Sequence, residues 1–418
     1  MSRVVIVGGG VIGLATAWHC ARRGHEVTVV ERLPAIRGGC SFGNAGMVVP
    51  SHFTPLAAPG AVGMALKWMF KPDSPFYLEP RLDWELAAWC WRFFRGSTSS
   101  HVDRAGPLLA ELQLRSRAGF RAMEEAGLDF GLKENGLFML CQSEAGLEEE
   151  ARMAERARVL GLPVEVLDAK ATAAREPGIE MDVVGSVLYP MDCHLDPQQF
   201  MAGLEVALKE TGVRFAWEAE ICHWRCDNGR VCAVITASGE QIEADEFVLS
   251  AGIWSPETVC DLELNLPMQA GRGYSVTLSE TPQTLRSCAL LTEARVAVTP
   301  VGNGIRFGGT MEITRKTAPL RLSRVKGIVR SACEFFPAFT EADFEGLETW
   351  SGLRPCTPDG LPYLGRPRKW GNVIVAAGHA MMGLSLAPVT GQMVADLVEG
   401  GGASAGDQML SPDRFTRR

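Results

Sequence analysis

The apolar and polar positions of the first 31 residues change period twice. Val4–Val7 is an unbroken apolar run, as a strand buried on both faces requires. From Val11 to about Arg23 the apolar residues keep helical spacing, Gly24 stops the helix, and "EVTVVE" reads as a second strand closed by Glu31. No Lys, Arg, Asp or Glu occurs from Val4 to Ala21, so the span could also pass for a signal peptide or a membrane segment. "GGGVIG" in its middle, with no small-residue cleavage site after it, favours strand, turn and helix in an unprocessed chain. Residues 101–126 and 143–160 repeat with helical period among many charges, and 195–212 carries an Asp196-Pro197 helix start and a Gly212 stop. "GYSVTLS", "RVAVTPVG" and "GIRFGG" alternate and end in Gly or Pro, the mark of strands in the middle of the chain.

The turn between the first strand and helix has chemistry attached. Gly8, Gly10 and Gly13 stand in G-x-G-x-x-G spacing, 18 residues before Glu31. Gly8 allows the tight turn, Gly10 lets the backbone approach a pyrophosphate, Gly13 lets helix and strand pack, and Glu31 accepts from ribose hydroxyls. A glutamate there disfavours a 2′-phosphate, which leaves FAD or NAD. Two further strands end in glycine, "DEFVLSAGIWS" and "NVIVAAGHAMMG". Glycine-ended strands dispersed over the whole chain suit one long cofactor touched from several loops.

Composition narrows the class. The chain has 418 residues, 46% hydrophobic and 22% charged, with a formal charge of −8 and no basic tract, which argues for two soluble domains and against nucleic acid as a partner. Its 12 cysteines show no CxxC pair and no metal-like spacing, so we expect no metal and reduced thiols in a cytoplasmic protein.

"WSGLRPCTPDGLPYLG" (350–365) is too rich in Pro and Gly for a helix, and its lone Arg354 is costly among apolar neighbours unless an anion meets it. A buried ion pair or a loop-pinning role would also explain the arginine.

Together with "SFGNAG", "APGAVGMALKWMF", "SAGIWS", "GRGYS" and the C-terminal "AAGH…G…LAPVTG", this stretch resembles, over essentially the full chain, the D-amino-acid oxidase/dehydrogenase family of FAD enzymes. That family includes glycine and sarcosine oxidases, and the bacterial D-amino acid dehydrogenase branch is the best match. The resemblance implies an α/β fold: a Rossmann-type FAD-binding domain (1–80, 150–260 and 350–418) interleaved with an antiparallel-sheet α+β substrate domain (81–149 and 261–349). It implies noncovalent FAD held by Gly8, Gly10, Val11, Ile12, Gly13, Glu31 and Arg32. Further contacts would come from Ser41, Asn44, Ala45, Gly46, Met47, Ile221, Ala251, Gly252 and Trp254, and from Gly378, Gly383, Leu384 and Ser385.

The resemblance also gives Arg354 a role, the bidentate binding of a substrate carboxylate. Tyr274 would assist it, with Arg272 a weaker alternative, and His379 would lie beside the flavin. His52 divides between pocket lining and loop. Glycine oxidase carries an arginine where this chain has Ala380, Met381 and Met382, so a Met381–Met382 wall for an apolar or cyclic substituent is expected. Cys356 does not match the position of a covalent flavin link. The implied activity is dehydrogenation of small neutral D-amino or cyclic imino acids such as D-proline, hydroxy-D-proline or D-alanine. Electrons would pass to a quinone or dye-like acceptor. Trp84, Trp89, Trp91, Phe93 and Phe94 suggest core packing or a peripheral membrane contact. A peroxide-releasing glycine/sarcosine-type oxidase, an NAD-dependent dehydrogenase and a non-catalytic FAD-binding subunit stay open as alternatives.

Overall fold

The computed structural model describes residues 1–36, 38–68, 74–281, 283–401 and 407–416; Met69, Phe70 and Lys71 of the "KWMFK" stretch lie outside them. A six-stranded sheet runs in the order Tyr363–Gly365, Val373–Ala377, Glu246–Leu249, Arg3–Val7, Glu26–Val30, Arg214–Ala216. All pairings are parallel except that of Tyr363–Gly365. Val4, Ile6, Val27 and Val29 enter one apolar core and Val5, Val7 and Val30 another, so both faces are dry and the strands read as continuous apolar runs.

Register then sets the site. Val30, Val7, Leu249 and Val375 stand side by side, so the chain leaves the strands Arg3–Val7, Glu246–Leu249 and Val373–Ala377 at one sheet edge, through Gly8, Ser250–Gly252 and Gly378. The helix Val11–Arg22 packs against Ala387–Val398, where a Cβ at Gly391 would fall 2.5 Å from the Ala15 carbonyl. The expected helices form at Ser99–Glu125, Glu144–Val159 and Pro197–Glu210, capped by the side chains of Thr98, Ser143 and Asp196.

A second sheet of nine strands runs Trp350–Cys356, Gln269–Leu278, Gly304–Thr314, Val296–Val301, Cys288–Leu291, Leu137–Cys141, Gly185–Tyr189, Glu165–Asp168, with Phe76–Leu78 added beside Gly304–Thr314. Its membership crosses the expected boundaries. Phe76–Leu78, Glu165–Asp168, Gly185–Tyr189 and Trp350–Cys356 fall in segments assigned to the cofactor domain, yet all four pair in this sheet. The edge position of Trp350–Cys356 also accommodates Pro355, which has no N–H to give a second neighbour. Near the C-terminus Arg414 pairs with Asp359 at 2.7 Å and donates to the Leu361 carbonyl at 2.6 Å.

Candidate active site

A cavity of about 540 Å³ opens along the edge where those three strands end. The three fingerprint glycines are there for different reasons. Gly8 has φ +111° and a Cβ would lie 2.5 Å from the Ser250 carbonyl oxygen; at Gly13 it would lie 1.9 Å from the Gly8 carbonyl oxygen. Chain packing alone demands those two. At Gly10 a Cβ would meet only Ser41 Oγ, at 3.7 Å, so this glycine keeps space open rather than relieving a clash. Gly10 gives the helix no side-chain cap; the Val11 amide donates to Ser41 Oγ at 3.2 Å, and the helix N-terminus faces the cavity.

Ser250, absent from the expected set although it opens "SAGIWS", locks the turn by donating to the Val7 and Gly8 carbonyls at 3.0 and 3.1 Å. The Glu31 carboxylate is 9% exposed and accepts from the Gly9 amide at 2.7 Å and the Leu33 amide at 2.9 Å, which fixes its orientation at the cavity wall. The Arg32 guanidinium stacks 3.7 Å from the Trp254 ring centre. A helix N-terminus facing the cavity, an open glycine and a braced carboxylate fit a phosphate-and-ribose cofactor.

Most of the expected contacts converge here. Val11, Ile12, Asn44, Ile221, Ala251 and Gly252 line the cavity, and so do Gly378, His379, Gly383 and Leu384 at the far end. Cys40, Phe42, Ala219 and Glu220 line it too, each beside an expected residue in "CSFGNAG" or before Ile221. Gly13, Ala45, Gly46, Met47 and Ser385 stand behind the wall. Gly46 has φ +77°, with no room for a Cβ against the Leu195 carbonyl; Met47 pairs with His194; Ser385 Oγ accepts from the Val49 amide at 3.0 Å.

Arg354 lies beside the cavity. Ser351, Leu353 and Pro355 line it, while the Arg354 guanidinium lies on the other side of the strand, over Gly273 and near Cys40. It donates from Nη1 to the Thr310 carbonyl at 2.6 Å, and among the described residues no carboxylate pairs with it. Burial therefore pulls its pKa below the ordinary guanidinium value with no acid to compensate. Cys40 and Ala380 connect this recess to the cavity: Cys40 lines one and neighbours Arg354, and Ala380 lines one and packs with Met311 and Cys356.

Tyr274 needs correction. Alternation along Gln269–Leu278 points it away from Arg354, into an apolar core, and its hydroxyl is committed, donating to Glu312 at 2.7 Å and accepting from the Arg321 amide at 3.1 Å. Arg272, unlike Tyr274, lines the cavity; its Nη1 donates to the Ala318 and Pro319 carbonyls at 2.6 and 2.9 Å. His379 is 4% exposed, shares a 3.1 Å hydrogen bond with Thr390 Oγ1, and is pulled down to about 3 by burial, which keeps it neutral.

His52 does not line the cavity; its Nδ1 is 3.0 Å from Ser51 Oγ, and burial, aided by Arg295, pulls it down to about 4. The Met381–Met382 wall does not form. Met382 packs on the main core and Met381 is 47% exposed, because the tight turn they occupy aims successive side chains apart; Ala380 lines the cavity instead. Cys356 is buried with its thiol toward Met311 Sδ at 3.9 Å and pushed up to about 12, away from the cavity.

A family model described as FAD dependent oxidoreductase matches residues 3–397. The chain belongs to this family. This FAD-dependent oxidoreductase is 33% identical over 424 residues, 99% of each chain, to a protein of Methylobacterium sp. strain 4-46 named D-amino acid dehydrogenase. It is 34% identical over 421 residues to one of Methylobacterium radiotolerans with the same name, again 99% of each. Among solved structures, glycine oxidase from Geobacillus kaustophilus superposes with TM-score 0.77 at 27% identity, covering 100% of both chains. L-proline dehydrogenase from P. horikoshii superposes with TM-score 0.73 at 19% identity over 99% of this chain and 97% of the other, a likeness of fold. FAD, the cofactor of this family, carries the phosphates and ribose that a braced Glu31 and an open Gly10 turn suit.

Proposed function

We propose that this oxidoreductase dehydrogenates small neutral D-amino acids, cyclic ones such as D-proline or hydroxy-D-proline included. One observation carries the reading: the Arg354 guanidinium is drawn out of bulk solvent next to the cofactor cavity and has no carboxylate partner among the described residues. A planar fork in that state is suited to a substrate carboxylate bound through two hydrogen bonds. FAD, when bound, supplies the two-electron acceptor for oxidation of the Cα–N bond. The chain's own contribution is positioning. Arg354 fixes one end of the substrate, Met311, Cys356 and Ala380 give the recess an apolar side, and neutral His379, bonded to Thr390, shapes the cofactor end. Arg272 lines the cavity, but its Nη atoms are given to the Ala318, Pro319 and Lys316 carbonyls rather than to the Arg354 side of the strand. D-configuration is taken from the names of the two Methylobacterium relatives.

Delivery of electrons to a membrane quinone, at the cytoplasmic face, is part of the proposal. The helix Trp84–Gly96 supports it: Leu86, Trp89 and Phe93 face inward, while Trp84, Trp91 and Phe94 are 85%, 60% and 58% exposed along the outer stripe. Among the described residues no helix is long and apolar enough to cross a membrane. The likeness to glycine oxidase favours a second reading, an oxidase that releases peroxide.

The test is Arg354→Lys in the FAD-loaded enzyme. Catalytic efficiency on D-proline should fall at least about a hundredfold while FAD stays bound, since ammonium cannot reproduce the fork. Near-normal efficiency would remove the clamp. Peroxide formed at the rate of turnover in air would decide for the oxidase.

A further inference from the structure

The strand that faces Arg354 contains an irregularity that the alternating pattern does not predict. Gln269–Leu278 pairs with Gly304–Thr314 through Ala270↔Thr314, Gly271↔Ile313 and Arg272↔Glu312, and then resumes at Tyr274↔Gly309. Thr310 and Met311 therefore lie opposite the single residue Gly273, a β-bulge. Thr310 has φ +70°, a conformation that β-branched residues rarely adopt. The bulge frees two backbone groups from the ladder, and both are used. The Met311 amide donates to the Pro75 carbonyl at 2.7 Å, and the Thr310 carbonyl accepts from Arg354 Nη1 at 2.6 Å.

Gly273 completes the arrangement from below. Its own φ is not in the left-handed region, yet a Cβ there would lie 2.2–2.4 Å from Nη2, Cζ and Nη1 of Arg354. In this position the guanidinium leaves no room for a side chain at 273. One N–H is held by a carbonyl whose direction depends on the left-handed Thr310, and the plane is set by contact with bare backbone. Nε and Nη2 have no partner among the described residues, and neither is a fully buried unsatisfied nitrogen, so they are accessible to a ligand.

We propose that Thr310 and Gly273 are positioning residues that preset the orientation of Arg354, so that its Nε/Nη2 edge meets a substrate carboxylate without reorganisation. This rests on the carboxylate-clamp reading and adds to it how the clamp is aimed. The energetic logic is preorganisation: a long side chain immobilised before binding does not lose its rotamer freedom when the ligand arrives.

The experiment uses the FAD-loaded enzyme and propionate as a carboxylate probe, followed by perturbation of the flavin absorbance. Turnover of D-proline and of pyrrolidine, the same ring without the carboxylate, is measured in parallel. Gly273→Ala pushes the guanidinium off its floor, and Thr310→Pro fixes φ near −65° and turns the carbonyl away. Both should weaken propionate binding and raise KM for D-proline by about tenfold or more, with pyrrolidine turnover changed little. Thr310→Gly keeps the carbonyl and favours the same φ, and should hold propionate within about threefold of wild type. Propionate binding unchanged in Gly273→Ala and Thr310→Pro overturns the proposal. So does equal loss on D-proline and pyrrolidine, or a Thr310→Gly variant as weak as Thr310→Pro. Propionate binding unchanged in Arg354→Ala would instead bring down the clamp itself.

Discussion

Replacing Asp192 by Asn should change how stability depends on pH, and the structure gives the size of the effect. Asp192 is fully buried and accepts from the amide and hydroxyl of Ser51, whose Oγ is 3.0 Å from His52 Nδ1. Burial pushes its carboxyl from 3.8 up to about 7; the Ser51 bonds and the charge of Arg117 only partly oppose this. The folded state therefore holds a proton that the unfolded chain releases near pH 4. Stability is undiminished below that point, falls as pH rises from about 4 to 7, and is level above. At about 1.4 kcal/mol per pH unit, a rise from 3.8 to about 7 corresponds to on the order of 4 kcal/mol. Solvent relaxation around a buried ion reduces this, so about 2–4 kcal/mol is expected. Asparagine keeps the acceptor for Ser51 and never ionises. Urea unfolding of wild type and Asp192→Asn at saturating FAD, from pH 4 to pH 8, isolates the difference because other groups cancel. The variant should gain on wild type as pH rises and then plateau. A difference independent of pH, or one that increasingly favours wild type at high pH, refutes the reasoning.

Glu31→Ala should weaken FAD retention by on the order of 1–3 kcal/mol, read from dissociation during dialysis, because it removes a braced, charged acceptor. Gly10→Ala should fold with a near-normal Tm as apoprotein yet retain little FAD, whereas Gly13→Ala, whose Cβ would meet the Gly8 carbonyl at 1.9 Å, should fail to fold or lose several kcal/mol. Circular dichroism melts with and without FAD separate the two. Trp84→Ser combined with Trp91→Ser should abolish sedimentation with anionic vesicles while sparing turnover with an artificial dye; unaltered sedimentation would count against the outer stripe as a membrane surface.

The sequence by itself determined what short stretches of chain enforce. Gly8, Gly10, Gly13 and Glu31 lie on one strand–helix–strand unit, so their spacing fixes their meeting point before anything distant packs on it. Continuous apolar strands betrayed a sheet covered on both faces, and Asp196 marked a helix start through hydrogen bonds to amides two and three residues on.

Tertiary structure decided whatever depends on which strands become neighbours. Alternation says that Tyr274 and Gly273 face opposite sides, but only the pairing with Trp350–Cys356 says which side holds Arg354, and it is the glycine's. The bulge at Thr310, the divergence of Met381 from Met382, and the pairing of Glu165–Asp168 with Gly185–Tyr189 in the second sheet have the same origin. A side chain's residue type and period are local properties, whereas the face it finally presents is set by hydrogen-bond register between segments far apart in the chain.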